Sequence, residues 1–202
     1  VDTYFYNEKE PMSEWCKAVR TEYPAVNIVG ECWTTSPAQL AYWEAGTKNK
    51  DGFCSYLPSV MDFPLQSVLC KADDDTSWDS GMKLIYRSLS HDFLFDDPCR
   101  LLIMAANHDT ERVADEVGKN PEKAKLVATL LATLRGVPQI FSGDELMFAS
   151  KDLTQGHGGL RVDFPGGWPG DTLNLFDASQ RSTVQQDVFD HYSRLFNWRK
   201  TE

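Results

Sequence analysis

The stretch LLIMAANHDT, residues Leu101–Thr110, joins a short apolar run to a polar cluster. The apolar part, Leu101–Ala105, has the length and composition of a strand buried inside a parallel sheet. Barrels and open sheets built from such strands carry their functional side chains at the carboxyl ends of the strands. Asn107, His108 and Asp109 are therefore predicted to lie in a functional site.

Three further strand ends carry acidic residues in the same way. The segment 26–30 runs into Glu31, the segment 137–141 runs into the acidic residues 142–145, and the chain opens on the strand end 1–3, which contains Asp2. Because the carboxyl ends of neighbouring parallel strands ring a common mouth, these acidic ends are predicted to form one site.

The amino-acid composition limits the class of protein. The 202 residues are 42% hydrophobic and 12% aromatic, which is enough to bury one sizeable core. The formal net charge of −10 disfavours binding to nucleic-acid phosphates and to anionic membrane surfaces. No apolar run approaches the roughly 20 residues that a transmembrane helix needs. The composition thus predicts one domain with neither a nucleic-acid nor a membrane partner.

The cysteines do not indicate a metal site or a disulfide framework. Their number is odd, their spacing is wide, and no pair has C-x-x-C spacing. We expect free, mostly buried thiols at these five positions: Cys16, Cys32, Cys54, Cys70 and Cys99. The acidic turn 73–76 lacks the ligand spacing of a calcium loop. No metal site and no cofactor are therefore predicted; calcium is compatible with the chain but is indicated by none of these residues, and the sequence does not fix the compartment.

Helical and strand-like segments alternate along the chain. Helices are predicted at 12–23, 39–42, 63–72, 81–89, 121–135 and 187–200, with a less certain strand at 56–62. Such alternation indicates an α/β fold with a parallel sheet, and about four strands amount to half of an eight-stranded barrel. The long segment 149–183, rich in Gly, Pro and Asp, is predicted to be a functional loop.

Two facing carboxyl groups can cleave a glycosidic bond. One must be ionised to attack the sugar carbon and the other protonated to release the leaving oxygen, and retention of configuration requires them about 5–5.5 Å apart. Asp2 and Glu31 follow consecutive strands and are the natural pair, with Asp109 as a third carboxylate further around the ring. His108 could donate a hydrogen bond to a sugar hydroxyl.

Each of these residues also fits a structural role. A lone acidic residue after a strand is commonly a cap or a turn residue, and Asn-His-Asp on its own fits an Asx turn. Asp144 and Glu145 fit a charge pair at a helix N-terminus on the rim of a pocket. Trp33 and Trp168 fit sugar-stacking platforms because they lie next to these motifs, although scattered aromatic residues usually belong to a core.

Taken together, the motifs resemble, in order, the signature segments of the α-amylase family of glycoside hydrolases. The matching segments are residues 1–3, 29–33, 107–109 and 136–145. The resemblance implies a (β/α)₈ barrel, or TIM barrel, and retaining cleavage of α-glucosidic bonds. It assigns the nucleophile to Asp2, the general acid/base to Glu31 and transition-state stabilisation to Asp109.

The resemblance also implies a set of substrate-binding residues: Asn107, His108, Trp33, Arg161 and Trp168. The segment 164–168, with Arg161 and Asp163 before it, resembles the eighth-strand loop of the neopullulanase and cyclomaltodextrinase branch. The implied partner is an α-glucan or a maltooligosaccharide.

The family pattern is incomplete in this sequence. Three parts of the family pattern have no counterpart here: barrel strands one to three, the first signature segment, and the β-sandwich that follows the barrel. The family's Arg that precedes the nucleophile by two positions would fall just ahead of Val1. Residues 1–202 are therefore interpreted as a partial catalytic domain, the C-terminal half of the barrel from the end of strand four to strand eight. Half a barrel leaves unpaired strand edges, which predicts self-association.

The leading hypothesis is a glycosidase acting on α-glucans or cyclodextrins. Because part of the family's sugar-binding ring has no counterpart here, the isolated fragment is expected to turn over substrate poorly or not at all. One alternative is a non-catalytic sugar-binding or assembly protein on the same scaffold. Another is an α-glucosyl transferase or isomerase, which differs in the access of water to the site. A metal-dependent hydrolase is least favoured, because no set of residues has metal-ligand spacing.

Overall fold

The computed structural model describes residues 1–74, 76–152, 154 and 156–201. Asp75 of the predicted acidic turn, and residues 153 and 155 of the predicted long loop, lie outside this description. The chain divides into two compact units. The first unit is Val1–Met104 with Arg135–Gln139, and the second is Ala105–Leu134 with Ile140–Glu202.

All six predicted helices are present in the described part of the chain, together with two single-turn helices. The bounds are α1 Lys9–Glu22, α2 Pro37–Ala41, α3 Phe63–Leu69, α4 Met82–Leu89, α5 Val113–Glu116, α6 Pro121–Thr133, α7 His157–Leu160 and α8 Thr183–Arg199. Among the described residues of the predicted loop 149–183, the structure forms α7, a short 3-10 turn, Ala178–Gln180, and the first residue of α8.

Local capping explains where the two long helices of the second unit begin. The Asn120 side chain accepts hydrogen bonds from the backbone N–H groups of Glu122 and Lys123, at 2.9 and 3.3 Å, and so opens α6. Ser182 and Gln185 form a reciprocal capping box at the start of α8. This box starts α8 four residues earlier than predicted.

The strands of the first unit pair in parallel. Their bounds are β1 Val29–Gly30, β2 Ser59–Val60, β3 Leu102–Met104 and β4 Val137–Gln139. β1 pairs with β2, β3 pairs with β4, and a parallel bridge between Met61 and Leu102 links the two pairs. The predicted parallel α/β class is confirmed. The described strands form no closed barrel, and the half-barrel interpretation stays a prediction.

The strands are shorter than predicted, for local reasons. The backbone N–H of Val26 donates to the Tyr23 carbonyl at 3.0 Å, so a turn occupies the start of the predicted strand 26–30. Tyr56 has a φ of 54°, which interrupts the extended backbone of the predicted strand 56–62.

The first unit contains a buried hydrophobic cluster and a partly buried ion-pair triad. The cluster includes Tyr4, Leu40 and Leu57, each at most 1% exposed. Arg135, just before β4, forms ion pairs with Asp62 at 2.6 Å and Asp92 at 2.5 Å. Since Asp62 follows β2, this triad ties β4 to the rest of the sheet.

The second unit is built around α6 and α8, which pack against each other. Ala128 of α6 is buried against Val188 and Tyr192 of α8. A separate apolar cluster contains Leu146, Phe148 and Leu175, each at most 8% exposed. This second cluster anchors the long loop, because Leu175 belongs to it.

The cysteines are free, as predicted, but they are not mostly buried. Cys16 and Cys32 are buried, Cys54 and Cys70 are half-buried, and Cys99 is exposed. Within the described ranges, no helix combines the length and the apolar character that crossing a bilayer requires.

Candidate active site

Glu31 lies at the carboxyl end of β1, beside the first residues of the chain. The Val1 amino group donates to the Val29 carbonyl at 2.6 Å, and the Glu31 N–H donates to the Val1 carbonyl at 2.9 Å. These two bonds are the pair that neighbouring parallel strands exchange, so Val1 lies against β1 as a strand end. A Cβ on Gly30 would lie 2.5 Å from the Leu57 side chain. A larger residue at position 30 would therefore require the buried Leu57 side chain to shift.

The Glu31 carboxyl group is buried, and one of its two oxygens is hydrogen-bonded to the protein. The residue is 4% exposed, and its Oε2 accepts a hydrogen bond of 2.7 Å from the Thr3 N–H. Its Oε1 is buried without a hydrogen-bond partner in the described part of the protein. Thr3 directly follows Asp2, which is exposed, so the first unit brings two of the predicted carboxylates to neighbouring strand ends.

The Asn-His-Asp segment of the second unit is an Asx turn. Asn107 is fully buried, and its Oδ1 accepts hydrogen bonds from the N–H groups of Asp109 and Thr110 at 2.9 and 3.0 Å. The Asn107 N–H donates to the Thr110 hydroxyl at 2.8 Å. The structural interpretation of this motif is therefore confirmed, and the turn fixes the backbone that carries Asp109. The Asn107 Nδ2 is buried and has no partner in the described residues, so the amide also has a free donor.

Asp109 is surrounded by cationic or ionisable groups of its own unit. Arg161 Nη2 donates to Asp109 Oδ1, while His157 Nδ1 lies 2.8 Å from Oδ1 and His108 Nε2 lies 3.2 Å from Oδ2. The Arg161 Nε also donates to the His108 carbonyl at 3.1 Å. Partial burial raises the pKa of Asp109, but Arg161 and His108 outweigh burial and hold it below the usual carboxyl range. Asp109 is therefore held ionised.

His157 was not predicted from the sequence. It lies 48 positions after Asp109 in the irregular loop, and no local pattern marks it. Only the turn of the loop through α7 brings its ring to the carboxylate.

Asp144 and Glu145 lie in the first turn of a 3-10 helix, Asp144–Leu146, and Glu145 lines a cavity, as predicted, whereas Asp144 is buried and lies on no rim. Asp144 is 3% exposed, and its Oδ1 lies 3.2 Å from Nη1 of the buried Arg112. Arg112 also donates to the Ser142 and Leu160 carbonyls at 2.7 and 3.0 Å. Burial raises the pKa of Asp144 to about 7 even though Arg112 opposes the shift. This pair holds residue 160 and thereby the backbone that carries Arg161.

The two predicted aromatic platforms differ in their surroundings. Trp33, two residues after Glu31, is 38% exposed and stacks on Phe63 with ring centroids 4.9 Å apart. Trp168 lies in the long loop of the second unit and is 66% exposed.

The predicted residues form two groups. Asp2, Glu31 and Trp33 belong to the first unit. The second unit brings Asn107, His108, Asp109 and Arg161 together, and it also contains Trp168. The expectation that all three acidic residues act on one bond stays a prediction.

Comparisons with known proteins identify one family. The sequence profile described as alpha amylase, catalytic domain, matches residues 5–164. The α-amylase SusG of Bacteroides thetaiotaomicron is 37% identical over 86 residues, which are 41% of this chain and 12% of that protein. A 4-α-glucanotransferase of Thermotoga neapolitana is 39% identical over 70 residues, which are 34% of this chain and 16% of that protein.

The chain also has the same fold as part of several solved structures. A cyclic α-maltosyl-(1→6)-maltose hydrolase from Arthrobacter globiformis matches with a TM-score of 0.73 and 18% sequence identity. This match covers 99% of the present chain and 39% of the hydrolase. The chain thus spans well under half the length of the relatives described here.

Proposed function

The chain belongs to the α-amylase catalytic-domain family, and on that basis we propose that it is part of a retaining glycosidase. The proposed substrates are α-glucans, maltooligosaccharides or cyclodextrins, and the proposed reaction needs no cofactor. The observation that carries the proposal is the Glu31 carboxyl group, which is 4% exposed and has one oxygen bound to the Thr3 N–H and the other unpaired in the described structure. Such a group is oriented through one oxygen, while the protein leaves the hydrogen-bonding capacity of the other unused in the described structure.

Asp2 and Glu31 are the proposed catalytic pair. The Asp2 carboxylate attacks the anomeric carbon while Glu31 protonates the leaving glycosidic oxygen, and a covalent glycosyl intermediate forms on Asp2. Glu31 then acts as the base for the water that hydrolyses this intermediate. The hydrogen bond from the Thr3 N–H to Glu31 supports the assignment, because it links the Glu31 carboxyl group to the residue next to Asp2.

Asp109 is proposed to stabilise the positive charge of the oxocarbenium-like transition state. A carboxylate does this only when ionised, and the pKa of Asp109, held low by Arg161 and His108 against partial burial, is consistent with that role. Asn107, His108, Arg161, Trp33 and Trp168 are proposed to contact the sugar.

We further propose that the chain corresponds to the region from the end of strand four to strand eight of the family's barrel. The four parallel strands of the first unit support this assignment. The match to only 39% of the Arthrobacter globiformis hydrolase is also consistent with it.

The test is an assay of maltoheptaose hydrolysis, in which the release of reducing ends is measured over time. Glu31→Gln and Asp2→Asn are each expected to lower the rate at least about 100-fold, because each removes a group that takes part in bond cleavage. The circular dichroism spectrum is expected to be unchanged.

Glu44→Gln is the matched control. Glu44 is also a buried carboxyl group of the first unit, 3% exposed, but its oxygens accept hydrogen bonds from the backbone N–H groups of Asp96 and Asp97 at 2.7 and 3.4 Å. This variant should lose stability and keep its rate per folded molecule. Wild-type turnover by either Glu31→Gln or Asp2→Asn would remove that residue from its proposed role.

A second candidate function is α-glucosyl transfer. The observation that favours it is the 39% identity over 70 residues to the 4-α-glucanotransferase of Thermotoga neapolitana. Transfer uses the same carboxyl pair with a sugar hydroxyl in place of water. Product analysis separates the two, since a transferase yields oligosaccharides longer than the substrate. Calorimetric binding of maltoheptaose without any product would instead favour a sugar-binding protein.

A further inference from the structure

A cavity of about 230 Å³ lies among α2, α3 and α4 of the first unit. Its lining shares no residue with those proposed for catalysis and sugar binding. The volume is smaller than the range of about 300–1,000 Å³ that is typical of sites for drug-sized ligands. The cavity therefore suits a small chemical group rather than an oligosaccharide. Its polar lining includes the side chains of Thr35, Arg87, Ser88 and His91.

The polar side chains of this cavity have hydrogen-bond donors to spare. Arg87 Nη2 donates to Asp79 Oδ1 at 3.3 Å, and the Arg87 Nε and Nη1 have no partner in the described part of the chain. The Thr35 and Ser88 hydroxyl groups likewise have no partner among the described residues. A guanidinium group and two hydroxyl groups that line one small cavity can together hold a ligand with several acceptor oxygens.

The ring of His91 is oriented by the end of α4. The Arg87 carbonyl accepts a hydrogen bond of 2.7 Å from the Ser90 hydroxyl, and the His91 Nδ1 lies 2.9 Å from the same oxygen. Because a carbonyl oxygen can only accept, this Nδ1 carries a hydrogen. The His91 Nε2 has no partner in the described ranges, so it is available to a ligand. It can accept a hydrogen bond from a protonated ligand oxygen, or donate one when the ring is charged.

The charges around the cavity favour an anion. The lining contains no Asp or Glu side chain in the described part of the protein. Asp79, which binds Arg87, also lies 2.7 Å from Lys83 Nζ, so two cations share one carboxylate. Asp92, just after α4, is held by the Arg135 guanidinium at 2.5 Å. The chain as a whole has a formal net charge of −10, and this cavity departs from that balance.

We propose that this cavity binds a phosphate group, which can belong to free phosphate or to a phosphate monoester of a small metabolite. The available groups sit on four different side chains: Thr35, Arg87, Ser88 and His91. A carboxylate has only two oxygens to offer them, whereas a phosphate group has at least three. A neutral sugar would need carboxylate or carbonyl acceptors as well as donors. The proposal thus adds an anion site that the proposed function does not contain.

The test is calorimetric titration of the whole chain with inorganic phosphate at constant ionic strength. We expect one site with a dissociation constant of about 1 mM or below. Arg87→Gln should weaken phosphate binding at least about tenfold, because it removes the charge-assisted hydrogen bonds. Ser88→Ala and His91→Ala should each weaken it about threefold. All three variants should keep the circular dichroism spectrum of the wild type, since the exposed pair of Arg87 and Asp79 contributes little stability.

Arg100→Gln is the matched control. Its side chain also belongs to the first unit, is 59% exposed against 56% for Arg87, and forms one ion pair, with Asp97 at 3.1 Å. This variant should bind phosphate as the wild type does. An absence of phosphate binding up to about 10 mM would overturn the proposal. Unchanged binding by Arg87→Gln, or the same loss in Arg100→Gln, would also overturn it.

A parallel titration with glucose 1-phosphate distinguishes the two sources of the phosphate group. Tighter binding of glucose 1-phosphate than of inorganic phosphate, with the difference lost in Arg87→Gln, would identify a phosphate monoester as the ligand. Equal or weaker binding would identify free phosphate. Because neither titration needs turnover, the outcome is independent of whether the chain hydrolyses glucans.

Discussion

At the scale of single residues, the buried pair of Arg112 and Asp144 leads to a prediction about pH. Burial raises the pKa of Asp144 to about 7, against about 3.9 for an aspartate in an unfolded chain. The folded state therefore holds the proton more tightly. The resulting stability is complete below the unfolded pKa and is lost as the pH rises through about 7.

The measurement is urea unfolding of the wild type and of Asp144→Asn across this range. The amide of the variant does not titrate, so the free energy of unfolding of the wild type should fall relative to the variant by a few kcal/mol, at most about 4, between about pH 4 and pH 7.5. Asp109→Asn is the control. The pKa of Asp109 is lowered in the folded state, so its contribution to the free energy of unfolding is present above the unfolded pKa. The difference in this free energy between the wild type and Asp109→Asn should therefore stay constant over the same range. If the free energy of unfolding of the wild type relative to Asp144→Asn stayed constant or rose with pH, the raised pKa of Asp144 would be contradicted.

Residues whose role depends on local chain geometry could be predicted from the sequence, and residues whose role depends on distant partners could not. The Asx turn at Asn107 and the strand-end position of Glu31 follow from neighbouring residues. The Arg112 and Asp144 pair joins positions 32 apart, and nothing in either local sequence marks the other. Asp144 was therefore predicted to lie on a pocket rim, although it is buried.

At the scale of elements, the capping box of α8 is the feature that decides where the helix begins. The Ser182 hydroxyl accepts a hydrogen bond from the Gln185 N–H at 3.2 Å, and the Gln185 side chain accepts one from the Ser182 N–H at 2.9 Å. Ser182→Ala should lower the free energy of unfolding by about 1 kcal/mol and Tm by about 2–4 °C. Thr183→Ala, one position into the helix, should be neutral or slightly stabilising, because alanine is the better helix former. If thermal unfolding showed the same loss of stability in Ser182→Ala and Thr183→Ala, the capping box would not be what stabilises the start of α8.

Helices were predicted more accurately than strands for a physical reason. The caps of α3 and α6, Asp62 and Asn120, directly precede the predicted helix starts, so the sequence contains the information locally. A strand ends where its partner ends, and the partners of β3 lie on two distant segments, at Met61 and at β4. The predicted strand 26–30 accordingly begins at Val29, where pairing begins.

At the scale of the whole molecule, the proposed reaction needs residues from both compact units. Asp2 and Glu31 belong to the first unit and Asp109 belongs to the second. The proposed role of Asp109 is separate from the roles of Asp2 and Glu31, and the Asp2→Asn and Glu31→Gln experiments do not test it. Loss of hydrolysis in Asp109→Asn, together with retained binding of maltoheptaose, is the result that the proposed role of Asp109 requires.

The sheet of the first unit leads to the last prediction, which concerns self-association. Within the described residues β4 pairs with β3 alone, so the other side of β4 has no strand partner there, and the apolar Val137 at its start is 50% exposed. Light scattering should therefore give a mass above 22.9 kDa that rises with concentration. Val137→Lys should shift the mass toward the monomer, because a lysine on an open edge opposes strand pairing. Val184→Lys, at a site on α8 that is 48% exposed, should not. A wild-type protein that stays monomeric at every concentration would show that this edge is protected in solution.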